Sequence, residues 1–365
     1  MPSKFQAELD VACAAVQHCA VLTKRLQRET VRQDDQVKKS DFSPVTVGDF
    51  AAQALLTSAT HGAFKDDKFL AEESADELRQ NDALLESVWQ LTQELQPAFE
   101  KSSPALVTPA SKQEVYDLID LGGKNEVSND GRMWVFDPID GTATFLRGQQ
   151  FAINCAFLID GVEQIGIIGC PNVILDSDSV HEDQVDKDLG CMIFAIRGEG
   201  TWVRPMRSDG VLAEAKKIDR HGEKVKIDDL IWSDCSTYTS TIQHLHQQVA
   251  SKLYTPFPGV DLFSSLMKYA ALGLGRCHIV MRIFKYSSWR SNMWDHAGGV
   301  LIFEEAGGKV TDLNGKSIDF TQGRKMAANY GLVCAPSSVH AEVLKTIQET
   351  LKAYEDTNGP IPYSK

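Results

Sequence analysis

The chain has 365 residues, 43% hydrophobic and 24% charged, ordinary proportions for a globular protein of one large domain or two smaller ones. Its formal net charge of −13 argues against nucleic acid and against anionic membranes as general partners. A small anionic substrate stays open, because bound divalent cations reverse the local field.

Eight cysteines are scattered without a C-x-x-C pair, against a zinc ribbon or a thioredoxin-like site. Those in apolar runs, such as Cys155 and Cys191, read as buried thiols. The polar N-terminus lacks the shape of a secretory signal, and no apolar run approaches about 20 residues. A reducing, cytoplasmic setting is the expectation.

In chain order, Ala12, Ala15, Cys19, Leu22 and Leu26 fall on one face and predict a helix over 7–28. The charged stretch Arg32–Ser43 reads as a loop. A second helix follows Thr46, with Phe50, Ala54 and Leu55 inward. The apolar start of KFLAEES leads into a helix carrying Leu84, Leu85, Val88 and Leu91. Residues 101–131, with Gly122 and Gly123, read as a surface excursion. MWVF (133–136) is a short buried strand. FAINCAFLI (151–159), the Asp160-Gly161 turn and 162–169 predict a hairpin, and 191–197 with 201–205 predict another. Residues 206–228 read as irregular. Strands at 231–233, 277–283 and 309–312 then alternate with helices near 241–252, 262–273, 294–306 and 337–353. Hairpins first and alternation second predict an α/β protein: an α+β first lobe over 1–228 and an α/β second lobe over 229–365, with two sheet layers and helices between and outside.

The segment Asp137-Pro138-Ile139-Asp140-Gly141-Thr142 follows the buried strand. Pro138 stops the ladder there, and the carboxylates of Asp137 and Asp140 can converge across the turn. Gly141 allows close backbone approach to an anion. If Gly141 and Thr142 open a helix, their N–H groups face a phosphate oxygen. Hard oxygen ligands suit Mg²⁺ rather than zinc. A D-P-x-D-G surface turn is the competing reading. Three further acidic segments join it: Glu72-Glu73, Asp295 in Trp294-Asp295-His296-Ala297-Gly298-Gly299, and Asp49. Each has its own alternative. Thr46-x-x-Asp49 fits a capping box, Glu72-Glu73 a solvated helix start, and Asp295 a helix cap.

Taken together, Ser43-Pro44-Val45-Thr46-Val47-Gly48-Asp49, Ala71-Glu72-Glu73-Ser74, Trp134 to Thr142, Phe145-Leu146-Arg147-Gly148 with Gln150-Phe151-Ala152, Trp294 to Gly299, and Glu305-Ala306-Gly307-Gly308 occur in one order along most of the chain. In this the sequence resembles the inositol monophosphatase-like superfamily of metal-dependent, lithium-sensitive phosphatases, and within it the 3′(2′),5′-bisphosphate nucleotidase branch. The resemblance implies a layered α/β/α/β/α sandwich and two or three Mg²⁺ ions. It implies that Glu72, Asp137 and the carbonyl of Ile139 hold one metal, that Asp137, Asp140 and Asp295 hold a second, and that Glu72 also faces a third. Asp49 and Thr142 would activate the attacking water, with Thr142 orienting it and Asp49 taking its proton. On the substrate side it implies Gly141, Thr142, His244, Ser265, Lys268 and Arg282. A histidine of the pattern falls near Gln243 and His244.

Several positions depart from that pattern: Ala143-Thr144 where Lys-Gly is usual, Ser291-Asn292 where Glu-Lys is usual, and Asp41-Phe42 in place of an acidic-then-small pair. None is a metal ligand; they bear on the substrate. Gly273-Leu274-Gly275 lacks the third glycine of a dinucleotide fingerprint, and there is no P-loop and no H-E-x-x-H. The expectation is hydrolysis of adenosine 3′,5′-bisphosphate to AMP and phosphate, with a lithium-sensitive rate. An inositol phosphate phosphatase with the same metals is the nearest alternative. A catalytically weak nucleotide-sensing paralogue is a third, opposed by the intact set Asp49, Glu72, Asp137, Asp140, Thr142 and Asp295.

Overall fold

A computed structural model describes residues 4–33, 44–124, 130–218 and 225–363. Asp41-Phe42, Ser43 and most of the expected loop over Arg32–Ser43 lie outside the described residues.

Helix α1 (Gln6–Gln33) buries Ala12, Ala15, Cys19, Leu22 and Leu26, the face expected from their spacing. It outruns the expected end at 28 by more than a turn, with Thr30 buried and donating to Leu26 O at 2.8 Å. Helix α2 (Pro44–Ala63) begins at Pro44, where the missing N–H costs nothing. Thr46 is therefore inside the helix and Asp49 lies in its second turn, so the capping-box reading of that pair is overturned.

Strand β1 (Lys68–Ala71) is followed by the short α3 (Asp76–Arg79) and by α4 (Asp82–Lys101), which is capped by Asn81. The region expected to be a surface excursion contains a helix, α5 (Lys112–Gly123), with Val115, Leu118 and Ile119 buried. Ser111 accepts Glu114 N–H at 3.1 Å and Glu114 reaches back to Ala110 N–H at 2.7 Å, a local signal that the glycines obscured. Those glycines are packing points: a Cβ on Gly122 would lie 2.8 Å from Ala71 Cβ.

Strand β2 (Arg132–Asp140), α6 (Thr142–Leu146), β3 (Ala152–Ile159), β4 (Val162–Cys170), β5 (Cys191–Ile196), β6 (Gly200–Pro205) and β7 (Lys216–Lys217) follow. The first sheet runs β1 to β7 in sequence order, parallel between β1 and β2 and antiparallel from there on. Pro138 interrupts the β2–β3 ladder rather than stopping it: pairing breaks after Asp137 and resumes at Asp140 opposite Ala152.

The second sheet has the order β11-β12-β10-β8-β9. Its members are β8 (Trp232–Asp234), β9 (Val260–Asp261), β10 (Ile279–Arg282), β11 (Gly308–Thr311) and β12 (Leu332–Pro336). Its helices are α7 (Gln243–Lys252), α8 (Ser265–Gly273), α9 (Gly299–Glu305) and α10 (His340–Asn358). Strand β12 has no counterpart among the sequence expectations, although the apolar run Leu332-Val333-Cys334-Ala335 carries it. The helix expected over 294–306 starts only at Gly299, and Gly298 caps it, so Asp295 is not the cap.

Three apolar clusters show the layering. One joins α1, α2, α4 and α5 to one face of the first sheet. The second joins the other face to α8, α9 and the second sheet. The third joins the far face of the second sheet to α7 and α10. The order is helix, sheet, helix, sheet, helix, as expected. All eight cysteines are buried thiols. Among the described residues no helix is long and apolar enough to cross a membrane.

Candidate active site

The carboxylates of Asp137, Asp140 and Asp295 converge: one oxygen from each lies within 4.8 Å of the others. Asp137 and Asp140 come from the interrupted end of β2, and Asp295 comes from the turn before α9. Glu72, just past β1, adjoins the group, with Asp137, Asp140 and Asp295 as its charged neighbours. The parallel pairing of Ala71 with Phe136 brings the two strand ends side by side.

Each element holds its carboxylate by specific contacts. Gln53 of α2 clamps Glu73, accepting its N–H at 2.9 Å and donating to its carbonyl at 2.8 Å. Asp140 accepts from Ser264 Oγ and from Leu266 N–H, both at 2.6 Å, so the start of α8 grips it. The Ile139 side chain is buried at α2, where a Cβ on Gly48 would come 3.2 Å from its Cδ1. Asn154, opposite Asp137 on β3, donates to the carbonyls of Trp294 and Ala297, both at 2.8 Å. Glu163 of β4 accepts Gly298 N–H at 2.6 Å. These two residues fix the Asp295 turn onto the first sheet. Gly298 has φ 88°, and a Cβ there would come 2.8 Å from Asn154 Oδ1, so the turn requires glycine. His296 points into the core, its Nδ1 2.9 Å from Tyr269 Oη, and burial lowers its pKa to about 3.

Burial and mutual repulsion push Asp137 well above the usual carboxylate range, with Glu72, Asp140, Asp295 and Asp49 as its charged neighbours. Glu72 keeps solvent contact at the mouth of the cleft, yet the protein crowded around it, then Glu73, Asp295 and Asp140, raise it too. Asp140 is raised by burial against the opposing pull of Ser264, Leu266, Lys268 and Arg282. Burial also raises Asp49, with Glu73 and Glu72 adding to it. Asp137 Oδ1 is buried with no hydrogen-bond partner, a group that costs about 1–3 kcal/mol or more when left bare. Converging oxygen donors of one sign, one of them unpartnered, fit a hard divalent cation.

Gly141 (φ 97°) turns the chain into α6, and Thr144 Oγ1 closes the turn on Gly141 O at 2.7 Å. Thr142 stands exposed at the first position of that helix, while Asp49 is buried beside Glu72 and Glu73.

Ser265, Lys268 and Arg282 come together, and the residue that joins them is Tyr238. Arg282 donates to Tyr238 Oη at 2.8 Å and to Ser265 Oγ at 3.0 Å, with its guanidinium 4.1 Å from the centre of the tyrosine ring. Lys268 is buried; its ammonium donates to Tyr238 Oη at 3.3 Å and to the carbonyls of Leu262 and Phe263. Tyr238 and Phe263 stand with ring centres 5.5 Å apart. His244 is not part of this group. It lies on the exposed face of α7 with its ring 5.7 Å from that of Tyr354, which corrects its expected place on the substrate side. His246, half a turn on, is buried: its Nδ1 donates to Asp234 Oδ2 at 2.6 Å and its Nε2 accepts Ile283 N–H at 3.1 Å.

A separate groove of about 640 Å³ lies beside α1, lined by Lys24, Arg25, Arg28, Lys187, Asp188 and Arg207 among others. None of the acidic cluster lines it, and its arginines are engaged with Glu94, Asp209 and main-chain carbonyls.

Comparison with known proteins agrees with this fold. The chain is 36% identical over 355 residues to a 3′(2′),5′-bisphosphate nucleotidase of Emericella nidulans, covering 95% of this chain and 99% of that one. It is 33% identical over 346 residues to a 3′(2′),5′-bisphosphate nucleotidase of Schizosaccharomyces pombe, covering 93% and 95%. Among solved structures, inositol monophosphatase-II of Staphylococcus aureus superposes with a TM-score of 0.59 at 15% identity, covering 96% of this chain and 98% of that one. An inositol monophosphatase of Anabaena gives 0.56 at 18% identity, covering 96% and 100%. The profile of the inositol monophosphatase family matches residues 6–352, and the chain belongs to that family.

Proposed function

We propose that this protein is a magnesium-dependent phosphomonoesterase that hydrolyses adenosine 3′,5′-bisphosphate to AMP and phosphate. The observation that carries this reading is the placement of a carboxylate cluster one helical turn from a cationic one. Ser264 and Leu266 grip Asp140, and in the same turn of α8 Ser265 and Lys268 face Arg282 and Tyr238. A substrate with two phosphates uses both halves. The kinship with bisphosphate nucleotidases supports the same choice.

The chain is read as two lobes, 1–228 and 229–365, with Asp295 of the second completing the cluster of the first. Glu72, Asp137, Asp140, Asp295 and the carbonyl of Ile139 would hold Mg²⁺, as two or three ions. Bound there, the ions would neutralise phosphate charge and lower the pKa of a water. Asp49, kept within the protein at an elevated pKa, takes the proton of the attacking water, and Thr142 orients that water. The N–H groups of Gly141 and Thr142 face a phosphate oxygen. The P–O bond to the 3′-oxygen breaks, and that oxygen leaves with a proton from solvent. On the far side Arg282 and Lys268 attract the second phosphate, and the half-buried rings of Tyr238 and Phe263 offer aromatic contact to a base.

The test is a side-by-side comparison of kcat/KM for adenosine 3′,5′-bisphosphate and inositol 1-phosphate. The bisphosphate is expected to win by about tenfold or more, the scale of one added charged contact. Arg282→Ala should mainly raise KM for the bisphosphate. Lys268→Ala should also lower the melting temperature, because Leu262 and Phe263 would lose their buried donor. A higher kcat/KM for inositol 1-phosphate overturns the nucleotidase assignment and leaves a phosphatase; turnover of neither leaves a sensing protein.

A further inference from the structure

Between β11 and β12 the chain leaves the second sheet and passes close to the acidic cluster. Arg324 sits on that excursion. Its Nη1 donates to Gly122 O at 3.0 Å, and its Nη2 donates to Ala71 O at 2.7 Å and Glu72 O at 3.3 Å. Its guanidinium also lies over Trp294, 4.7 Å from the ring centre. One side chain therefore touches the main chain of Glu72, the end of α5 and the residue before Asp295.

The neighbouring main chain strengthens the contact. Met293 N–H donates to Arg324 O at 2.9 Å and Met326 N–H donates to Ser291 O at 3.0 Å, so the excursion runs antiparallel to 291–293. Lys325 donates to Asn292 Oδ1, and Asn292 Nδ2 reaches Asp295 Oδ2 at 3.4 Å. Arg324 thus holds the strand end that carries Glu72, and Lys325 acts through Asn292 on Asp295. The two acids belong to segments more than two hundred residues apart, and among the described residues no ladder joins β1 to the Asp295 turn.

We infer that Arg324 and Lys325 form a brace that sets the separation of Glu72 from Asp295, and with it the affinity of the cluster for its cation. Both are positioning residues; neither touches the reacting atoms. The residue types suit the task. Three carbonyls at one point need a planar fork of donors, which a guanidinium has and an ammonium on a flexible stem lacks. Stacking on Trp294 holds the fork flat. This inference rests on the metal reading of the cluster.

The test compares wild type with Arg324→Ala, Arg324→Lys and Lys325→Ala by two readouts: the Mg²⁺ concentration for half-maximal phosphate release, and the rise in melting temperature on adding Mg²⁺ to chelated protein. Arg324→Ala is expected to need about 10–100-fold more Mg²⁺, the usual cost of losing a group that orients metal ligands, and to gain less thermal stability from it. Its KM for substrate at saturating Mg²⁺ should stay within about twofold of wild type. Arg324→Lys should recover less than half of the lost Mg²⁺ response, and Lys325→Ala should show a smaller shift in the same direction. Wild-type Mg²⁺ response in Arg324→Ala with only a lower melting temperature would overturn the brace, since a merely structural role predicts that. Full recovery in Arg324→Lys would overturn it too, by showing that charge alone matters. If Arg324→Ala does not fold, Arg324→Lys and Lys325→Ala decide the matter by the same criteria. A wild type indifferent to Mg²⁺ would sink the metal reading itself; a Mg²⁺-dependent wild type with unaltered variants sinks only the brace.

Discussion

Asp137→Asn is expected to lower phosphate release on the order of 10³-fold or more while the protein stays folded, and Asp140→Asn to do nearly the same. Asp137 is the centre of the cluster: it is buried, faces four other carboxylates and has one oxygen without a partner. Asparagine keeps its shape and removes the charge that a divalent cation needs. The same charge is repelled by its neighbours when no cation is bound. In chelator, Asp137→Asn should therefore melt at or above the wild-type temperature, and Mg²⁺ should raise that temperature less than in wild type. Asp140 differs in one respect. It is already tied to Ser264 and Leu266, so Asp140→Asn should lose some stability as well as rate. Steady-state phosphate release and thermal melts with and without Mg²⁺ separate these effects. A rate near wild type in Asp137→Asn would show that the cluster is not where the chemistry occurs.

Asp49→Asn and Thr142→Ala should each lower kcat by about 10²–10⁴-fold, the range of a lost general base or its orienting partner. The Mg²⁺ requirement should change little, because neither residue is placed as a metal ligand, and KM should change little because Thr142→Ala keeps the main-chain N–H that faces the phosphate. Asp49 is placed for proton transfer because it is buried beside Glu72 and Glu73, next to the acidic cluster. Thr142 is suited to orienting water because it stands exposed at the start of α6, just past the turn that carries Asp140. Steady-state kinetics at saturating Mg²⁺ check both variants. A kcat within a few-fold of wild type in either would remove that residue from the water-activating pair.

The clustered acids were legible in the sequence because the chain writes them in compact segments. Asp137 and Asp140 sit in one turn after a buried strand, and Asp295 sits in a Trp-Asp-His-Ala-Gly-Gly run. The hairpins over 151–169 and 191–205 and the apolar face of α1 were legible for a similar reason, since their patterns repeat at short range. What the pattern hid acts at long range or through the main chain. Asn154, Glu163, Gln53 and Arg324 position the site by bonding backbone groups of segments distant in sequence, and no local spacing marks such a residue. Helix α5 was hidden because Gly122 and Gly123 read as a loop, when they are small so that the helix can approach the strand end bearing Glu72. Strand β12 lay in a short apolar run that gives no period of its own. His244 was misplaced because residues one or two apart on α7 face different sides: His244 turns to Tyr354, while Gln243 turns to Cys235. The aromatic residue that does stand with Arg282 and Lys268, Tyr238, comes from the loop before α7, where no periodicity exists to mark it.

In the proposed mechanism the carboxylate cluster works by holding Mg²⁺. The most direct measurement is phosphate release from adenosine 3′,5′-bisphosphate by the wild-type protein in excess chelator and again after Mg²⁺ is restored. Release should stop in chelator and return on adding Mg²⁺, because the repelling carboxylates cannot act on a phosphate dianion by themselves. Undiminished release in excess chelator would contradict it.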